Sequence, residues 1–261
     1  MNDNLKCKSC SKESYDMVPI YRVMEKLDSF FARNDLMGAL RLLEYWEREA
    51  RNLGDERGLL EILNEEIGCY RRVSDKERGL SAVNEALSLI EKNELWDKIS
   101  SGTVYLNAAT TMKAFGMAEE AMPIYRKAKD IYDKYLDKND YKFAAFYNNI
   151  SSAYKDIGQP DKAEKACYAA IEILEKRDDR YGEIAVTLIN IAHLYYDADP
   201  FDERVYGIMD KAWDYLMSDK NERNGDFAFL CSKCYPSFGY FGYFEREAEL
   251  KALTEKIYAG N

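Results

Sequence analysis

A single histidine, three tryptophans and five prolines among 261 residues restrict what this chain can do. One imidazole cannot build a multi-histidine metal site, and a Ser-His-Asp arrangement would have to use that one residue, His193. Glycine-rich phosphate loops of the GxxxxGK[ST] or GxGxxG kind are absent. No run of about 18 apolar residues occurs, so nothing reads as a membrane-spanning helix. The opening MNDNLKCKSCSKESYDMVPI lacks an apolar stretch of signal-peptide length, and the expected location is therefore cytoplasmic. Positive charge is in short supply: 37 Lys and Arg against 47 Asp and Glu leave a net charge of −10, which repels nucleic acid and anionic membrane surfaces. The expectation is a protein without catalytic residues, metal or cofactor.

What is present is helical and repetitive. Hydrophobic residues make up 47% and charged residues 32%, with only 14 glycines, the balance of a folded chain rich in helix. Ala86, Ala128, Ala170 and Ala212 stand 42 residues apart, and Leu89, Ile131, Ile173 and Tyr215 repeat that spacing three residues later. Tyr105 and Tyr147, and Gly116 and Gly158, share the period, while Asn64, Asn107, Asn149 and Asn190 recur at 43, 42 and 41. A fixed period of this length indicates stacked copies of one supersecondary unit. Within a copy, Phe146, Ile150, Ala153, Tyr154 and Ile157 follow helical spacing up to Gly158. That glycine is expected to end the helix in left-handed geometry. Pro160 then opens a second helix, with Ala163, Ala166, Ala170 and Ile173 on one face and Asp161 near its positive end.

The segment YNNISSAYKDIGQPDKAEKACYAAIEILEK resembles a tetratricopeptide repeat, with Asn149, Tyr154, Gly158, Ala163 and Ala170 at consensus positions. The period exceeds the usual ~34 residues and is similar to the kinesin-light-chain variety, as is AMPIYRKAKDIYDK with Pro123 inside its helix. The resemblance implies an all-α, right-handed superhelical solenoid of about six helix pairs. The units are placed at about 19–51, 56–92, 97–137, 140–177, 181–218 and 225–259, after a flexible N-terminal tail of residues 1–18. Such an array is expected to hold its two ends apart.

The resemblance also implies that the first helix of each unit lines a concave groove. Asn64, Asn107, Asn149 and Asn190 then form a ladder of amides, each with a donor and an acceptor for the backbone of an extended peptide. The competing reading is that each amide ties its helix to the next. Asn148, Lys113, Ser152, Lys155, His193 and Tyr196 are the expected flanking groove residues, and the partner is a protein or peptide. Kinesin light chains and bacterial peptide-pheromone receptors use asparagines in this way, which makes a peptide-responsive sensor, or a non-catalytic subunit of a complex, the alternatives to a simple binding module.

Two Cys-x-x-Cys pairs, Cys7/Cys10 and Cys231/Cys234, together match the thiol complement of a zinc site, but 224 residues separate them. The second pair has the i, i+3 spacing of core cysteines, and free thiols are expected. Phe227, Phe229, Tyr235, Phe238, Tyr240, Phe241, Tyr243 and Phe244 crowd the last unit, where they either bury the final helix pair or form a homodimer surface.

Overall fold

The structure, a computed structural model, describes residues 16–95 and 98–260. Among these residues there are twelve α-helices and no strand: α1 (Ile20–Phe31), α2 (Leu36–Leu53), α3 (Glu56–Arg72), α4 (Lys76–Lys92), α5 (Ile99–Ala114), α6 (Ala118–Tyr135), α7 (Tyr141–Asp156), α8 (Pro160–Leu174), α9 (Tyr181–Ala198), α10 (Arg204–Met217), α11 (Gly225–Tyr240) and α12 (Phe244–Tyr258). They pack as consecutive pairs, odd against even. No helix among the described residues is long and apolar enough to cross a membrane. Of the expected N-terminal tail only residues 16–18 are described, and there Val18 is buried and donates its N–H to Asp55 Oδ2 at 2.9 Å. Cys7 and Cys10 lie outside the described residues.

The repeating alanines explain the pairing. Ala86, Ala128, Ala170 and Ala212 are completely buried, as are Ala121 and Ala163. A methyl group at each crossing lets two helix backbones approach while larger neighbours such as Ile90, Tyr125 and Phe146 fill the space around them. Turns within pairs are left-handed as expected: Gly116 has φ 84° and Gly158 φ 71°, and the Gln159 N–H closes the turn on Tyr154 O at 2.8 Å. The first two units do the same without glycine, at Asn34 (φ 55°) and Ser74 (φ 58°). Their following helices are held instead by aspartate caps, Asp35 accepting from the Gly38 N–H at 2.7 Å and Asp75 from the Arg78 N–H at 3.0 Å.

Curvature follows from which helices touch. The helices α3, α5, α7 and α9 each pack against the next odd-numbered helix, whereas successive even-numbered helices approach less closely and meet through long side chains such as those of Arg51–Glu85 and Arg246–Asp210. The odd helices therefore form the inner wall and the even ones the outer. That curvature carries the last unit back to the first, which corrects the expectation of separated ends. A Cβ on Gly225, the first residue of α11, would stand 2.6 Å from the Ala32 Cα, so two backbones meet where only glycine fits. Beside this contact the Arg72 guanidinium lies 5.2 Å from the Phe31 ring centroid and 4.3 Å from that of Phe229. One cation thus bridges rings of the first and last units. The rotation accumulated over six units sets this seam, and no single segment of sequence encodes it.

Cys231 and Cys234 are buried midway along α11, and burial raises both thiol pKa values, Cys231 to about 12. They are core residues in their protonated form. Most of the C-terminal aromatics are also packed, Phe227 and Phe238 fully, while Tyr240 and Phe244 remain exposed.

One buried group opposes the fold. Glu66 on α3 is 2% exposed, and its Oε1 has no hydrogen-bond partner. Burial, with repulsion from Glu47 and Glu44, raises its pKa to about 8. The unfolded chain gives up this proton near pH ~4.5, the folded chain only near 8, so folding holds an extra proton in between. The contribution of Glu66 to stability therefore falls as pH rises from ~4.5 to 8. Glu66→Gln is expected to flatten that slope and to raise stability at pH 8 by ~2 kcal/mol, read from urea unfolding across pH. Gly225→Ala is expected to push the seam apart, giving a larger radius of gyration in small-angle scattering at unchanged helicity. An identical scattering profile would show that the seam does not depend on that contact.

Candidate functional site: the concave wall

Successive inner helices are joined by polar rungs. Between α3 and α5, the Asn107 Nδ2 donates to Asn64 Oδ1 at 2.9 Å and Arg71 Nη1 donates to Thr111 Oγ1 at 2.9 Å. Lys113 pairs with Asp156 at 3.2 Å between α5 and α7, and Lys155 with Asp197 at 2.6 Å between α7 and α9. The Thr187 hydroxyl donates to Asn148 Oδ1 at 2.9 Å, and His193 Nε2 lies 2.9 Å from Ser237 Oγ between α9 and α11. Each bond spans about one repeat, which is why like residues recur at the repeat period. The Lys113–Asp156 and Lys155–Asp197 pairs are one rung copied from unit to unit, and a search of the sequence for opposite charges one period apart would have found them.

The asparagine ladder is therefore not uniform. Asn64 is buried, and its Nδ2 donates to Glu65 Oε1 at 3.0 Å while its Oδ1 takes the Asn107 bond. Asn149 turns back on its own helix, Nδ2 to Ala145 O at 2.8 Å, with Ser152 Oγ donating to Asn149 O at 3.1 Å. Asn190 on α9 is half-buried, and its amide makes no hydrogen bond among the described residues. His193 and Tyr196, one turn further along α9, lie beneath Tyr240 and Phe241. The His193 ring is 4.8 Å from Phe241 and 5.4 Å from Tyr240, and Tyr196 is 5.4 Å from Tyr240. Burial, with Lys155 nearby, lowers the His193 pKa, so the ring stays neutral at neutral pH.

Charge is segregated along the wall. Towards the start of α3, Glu61 and Glu65 lie within reach of each other and of Asp28 on α1, and desolvation raises the pKa of both glutamates. At the other end of α3, Arg71 and Arg72 are half-buried and their pKa values are lowered, chiefly by desolvation. Lys233 on α11 is lowered for the same reason and by the charges of Arg71 and Arg72, although its side chain is open to solvent. The Lys233 ammonium lies over the Phe229 ring, 4.2 Å from its centroid. Aligned polar and charged groups of this kind can bind and orient a chain. No group of three or more metal-ligating side chains occurs among the described residues.

No protein-family model and no curated protein matches this chain. Solved structures do. The kinesin-light-chain-like repeats from Podosopora anserina superpose with a TM-score of 0.59 at 16% identity, covering 76% of this chain and 94% of that one. A Rap protein complexed with competence and sporulation factor gives 0.60 at 15% identity, over 91% of this chain and 74% of its own. BtubC (BKLC) from P. vanneervenii gives 0.54 at 18%, over 88% and 91%. The chain folds as a tetratricopeptide-like solenoid. At these identities the likeness is one of fold alone.

The rungs separate two asparagines that occupy equivalent places in the repeat. Asn107→Ala strands the buried Asn64 oxygen and is expected to lower stability by about 1–2 kcal/mol, a drop of roughly 2–8 °C in melting temperature. Asn149→Ala removes only a bond to a carbonyl of its own helix and is expected to stay within ~0.5 kcal/mol of the parent. Calorimetry of the two variants checks the difference.

Proposed function

We propose that this solenoid is a protein-interaction module that holds an extended peptide segment, or an exposed segment of a partner protein, against its inner wall. The observation that carries the reading is unused hydrogen-bonding capacity on that wall: the whole amide of Asn190, the Oδ1 of Asn149 and the Nδ2 of Asn148. These groups lie on adjacent helices α7 and α9, facing the same concavity. An extended backbone presents N–H and C=O groups at a comparable repeat and needs such partners once water is displaced. Lys113, Lys155 and Asn107 then serve as the frame that fixes the wall, while Asn190, Asn149, Asn148 and Ser152 face the ligand. Net charge of −10 disfavours nucleic acid as that ligand.

The complex of a Rap protein with competence and sporulation factor supports a second form of the same reading, a sensor whose pitch responds to occupancy. The narrow seam favours it here, because one glycine contact and one shared cation are readily broken and remade.

Capture from native lysate followed by mass spectrometry supplies the partner. With that segment as a synthetic peptide, Asn190→Ala is expected to weaken binding roughly five- to hundred-fold, since ligand polar groups are left unpaired. The melting temperature of the free protein should not change, because the Asn190 amide bonds no partner among the described residues. Unchanged affinity would remove this wall from the binding surface.

A further inference from the structure

At the seam Arg72 and Lys233 approach one aromatic ring, Arg71 is near enough for its charge to act on Lys233, and none of the three is paired with a carboxylate among the described residues. Arg71 and Arg72 close α3, and Lys233 stands midway along α11. The Lys233 ammonium lies 4.2 Å from the Phe229 ring centroid and the Arg72 guanidinium 4.3 Å from the same centroid, so one ring carries two positive charges from opposite ends of the solenoid. Arg71 donates to Thr111 Oγ1 at 2.9 Å and towards Asn107 O at 3.5 Å, and Arg72 to Asn34 Oδ1 at 3.3 Å. All of these acceptors are neutral. The carboxylate whose field reaches Lys233 is Glu183, and it is held by Arg180 at 3.0 Å. Elsewhere the chain pairs its cations freely, as Arg51 does with Glu47 and Glu85 and Arg246 with Asp210. A surplus of positive charge inside a concavity of an acidic protein is destabilising unless an anion joins it.

We propose that Arg71, Arg72 and Lys233 form an anion site at the seam, which takes the carboxylate at the end of a bound peptide and thereby bolts the last unit to the second. The inference rests on the reading of the inner wall as a peptide-binding surface and adds the polarity of the ligand. An extended polyanion, with charge running along the wall, does not suit the site. Glu61 lies eleven residues before Arg72 on α3, about 16 Å along the helix, and with Glu65 and Asp28 would repel any negative charge further along the chain. A ligand with one anionic end satisfies both poles. That end is either a C-terminal carboxylate or an acidic side chain in the last positions, the same chemistry from two sources.

Two measurements test the site. The first uses succinate as the probe, with chloride matching the ionic strength. Millimolar succinate should raise the melting temperature of the parent and leave Lys233→Glu unmoved, because the new carboxylate occupies the site. Lys233→Glu without any ligand should melt higher than the parent, which a merely disruptive substitution would not. Equal succinate response in the two proteins overturns the proposal. The second measurement incubates immobilised protein with random heptapeptides made as free acids or C-terminal amides and sequences what is retained. Preference for the free acid whatever the last residue identifies the terminus as the source, and preference for Asp or Glu in both pools identifies the side chain. Either preference should disappear in Lys233→Glu and survive in Lys233→Arg, and the best retained peptide should lose roughly ten-fold or more in affinity. Retention without any acidic preference sinks the anion site and leaves the peptide-binding wall standing. No retention at all, with succinate still acting at Lys233, sinks the wall and leaves an anion site alone.

Discussion

The whole structure depends on how closely two helices of a pair approach at a buried alanine. Ala86, Ala128, Ala170 and Ala212 have no exposed surface, and the 42-residue recurrence of that one small side chain fixes the crossing geometry of units two to five. With the crossing fixed, each unit presents the same two faces to its neighbours, and stacking becomes a matter of repetition. No single pair could bury Tyr125, Phe146 and Ile90 on its own, so the core is continuous and stability is shared between neighbours.

Repetition also explains why the inner wall is both rigid and polar. The odd-numbered helices touch one another, and side chains that face the concavity can reach the next helix before they reach water. Lys113–Asp156, Lys155–Asp197 and Asn107–Asn64 exploit that proximity. Half-exposed ion pairs of this kind add little stability individually, yet a rung at each interface limits the twist between units. Successive outer helices are also tied by exposed ion pairs, Arg51–Glu85, Lys127–Glu91 and Arg246–Asp210, so rungs on both faces and the core between pairs share that task.

Much of this was legible in the sequence because it is local or periodic. The period located the alanines, the helix pairs and the left-handed glycines at 116 and 158. Asn34 and Ser74 adopt the same left-handed geometry without a glycine to announce it, and their aspartate caps at residues 35 and 75 were the better signal. The candidate site was half legible. Sequence put Asn64, Asn107, Asn149 and Asn190 on one face, but equal spacing conceals unequal partners: Asn107 bonds the preceding unit, Asn149 its own helix and Asn190 neither. Hydrogen-bond choice depends on whether an acceptor lies within about 3 Å, and periodicity does not resolve that distance. The seam was not legible at all. Arg72, Phe31 and Phe229 come from three distant segments, and only the summed rotation of the array brings them together.

That summation has a mechanical consequence. A small change in twist at one interface displaces the neighbouring unit slightly, but the same change at all five interfaces adds up at the seam, where α11 meets the end of α1. The contact there is a glycine against a backbone and a cation over two rings, which leaves little room for continuous sliding. A ligand that bonds Asn148, Asn149 and Asn190 acts on the α7–α9 interface, and its effect is read where the ends join. On the proposed reading, occupancy of the wall and closure of the ring are linked, and by reciprocity the factor by which a ligand changes the seam is the factor by which the seam changes binding. The coupling needs no moving part beyond the stacking itself, because the solenoid transmits a local twist through a core too tightly packed to absorb it.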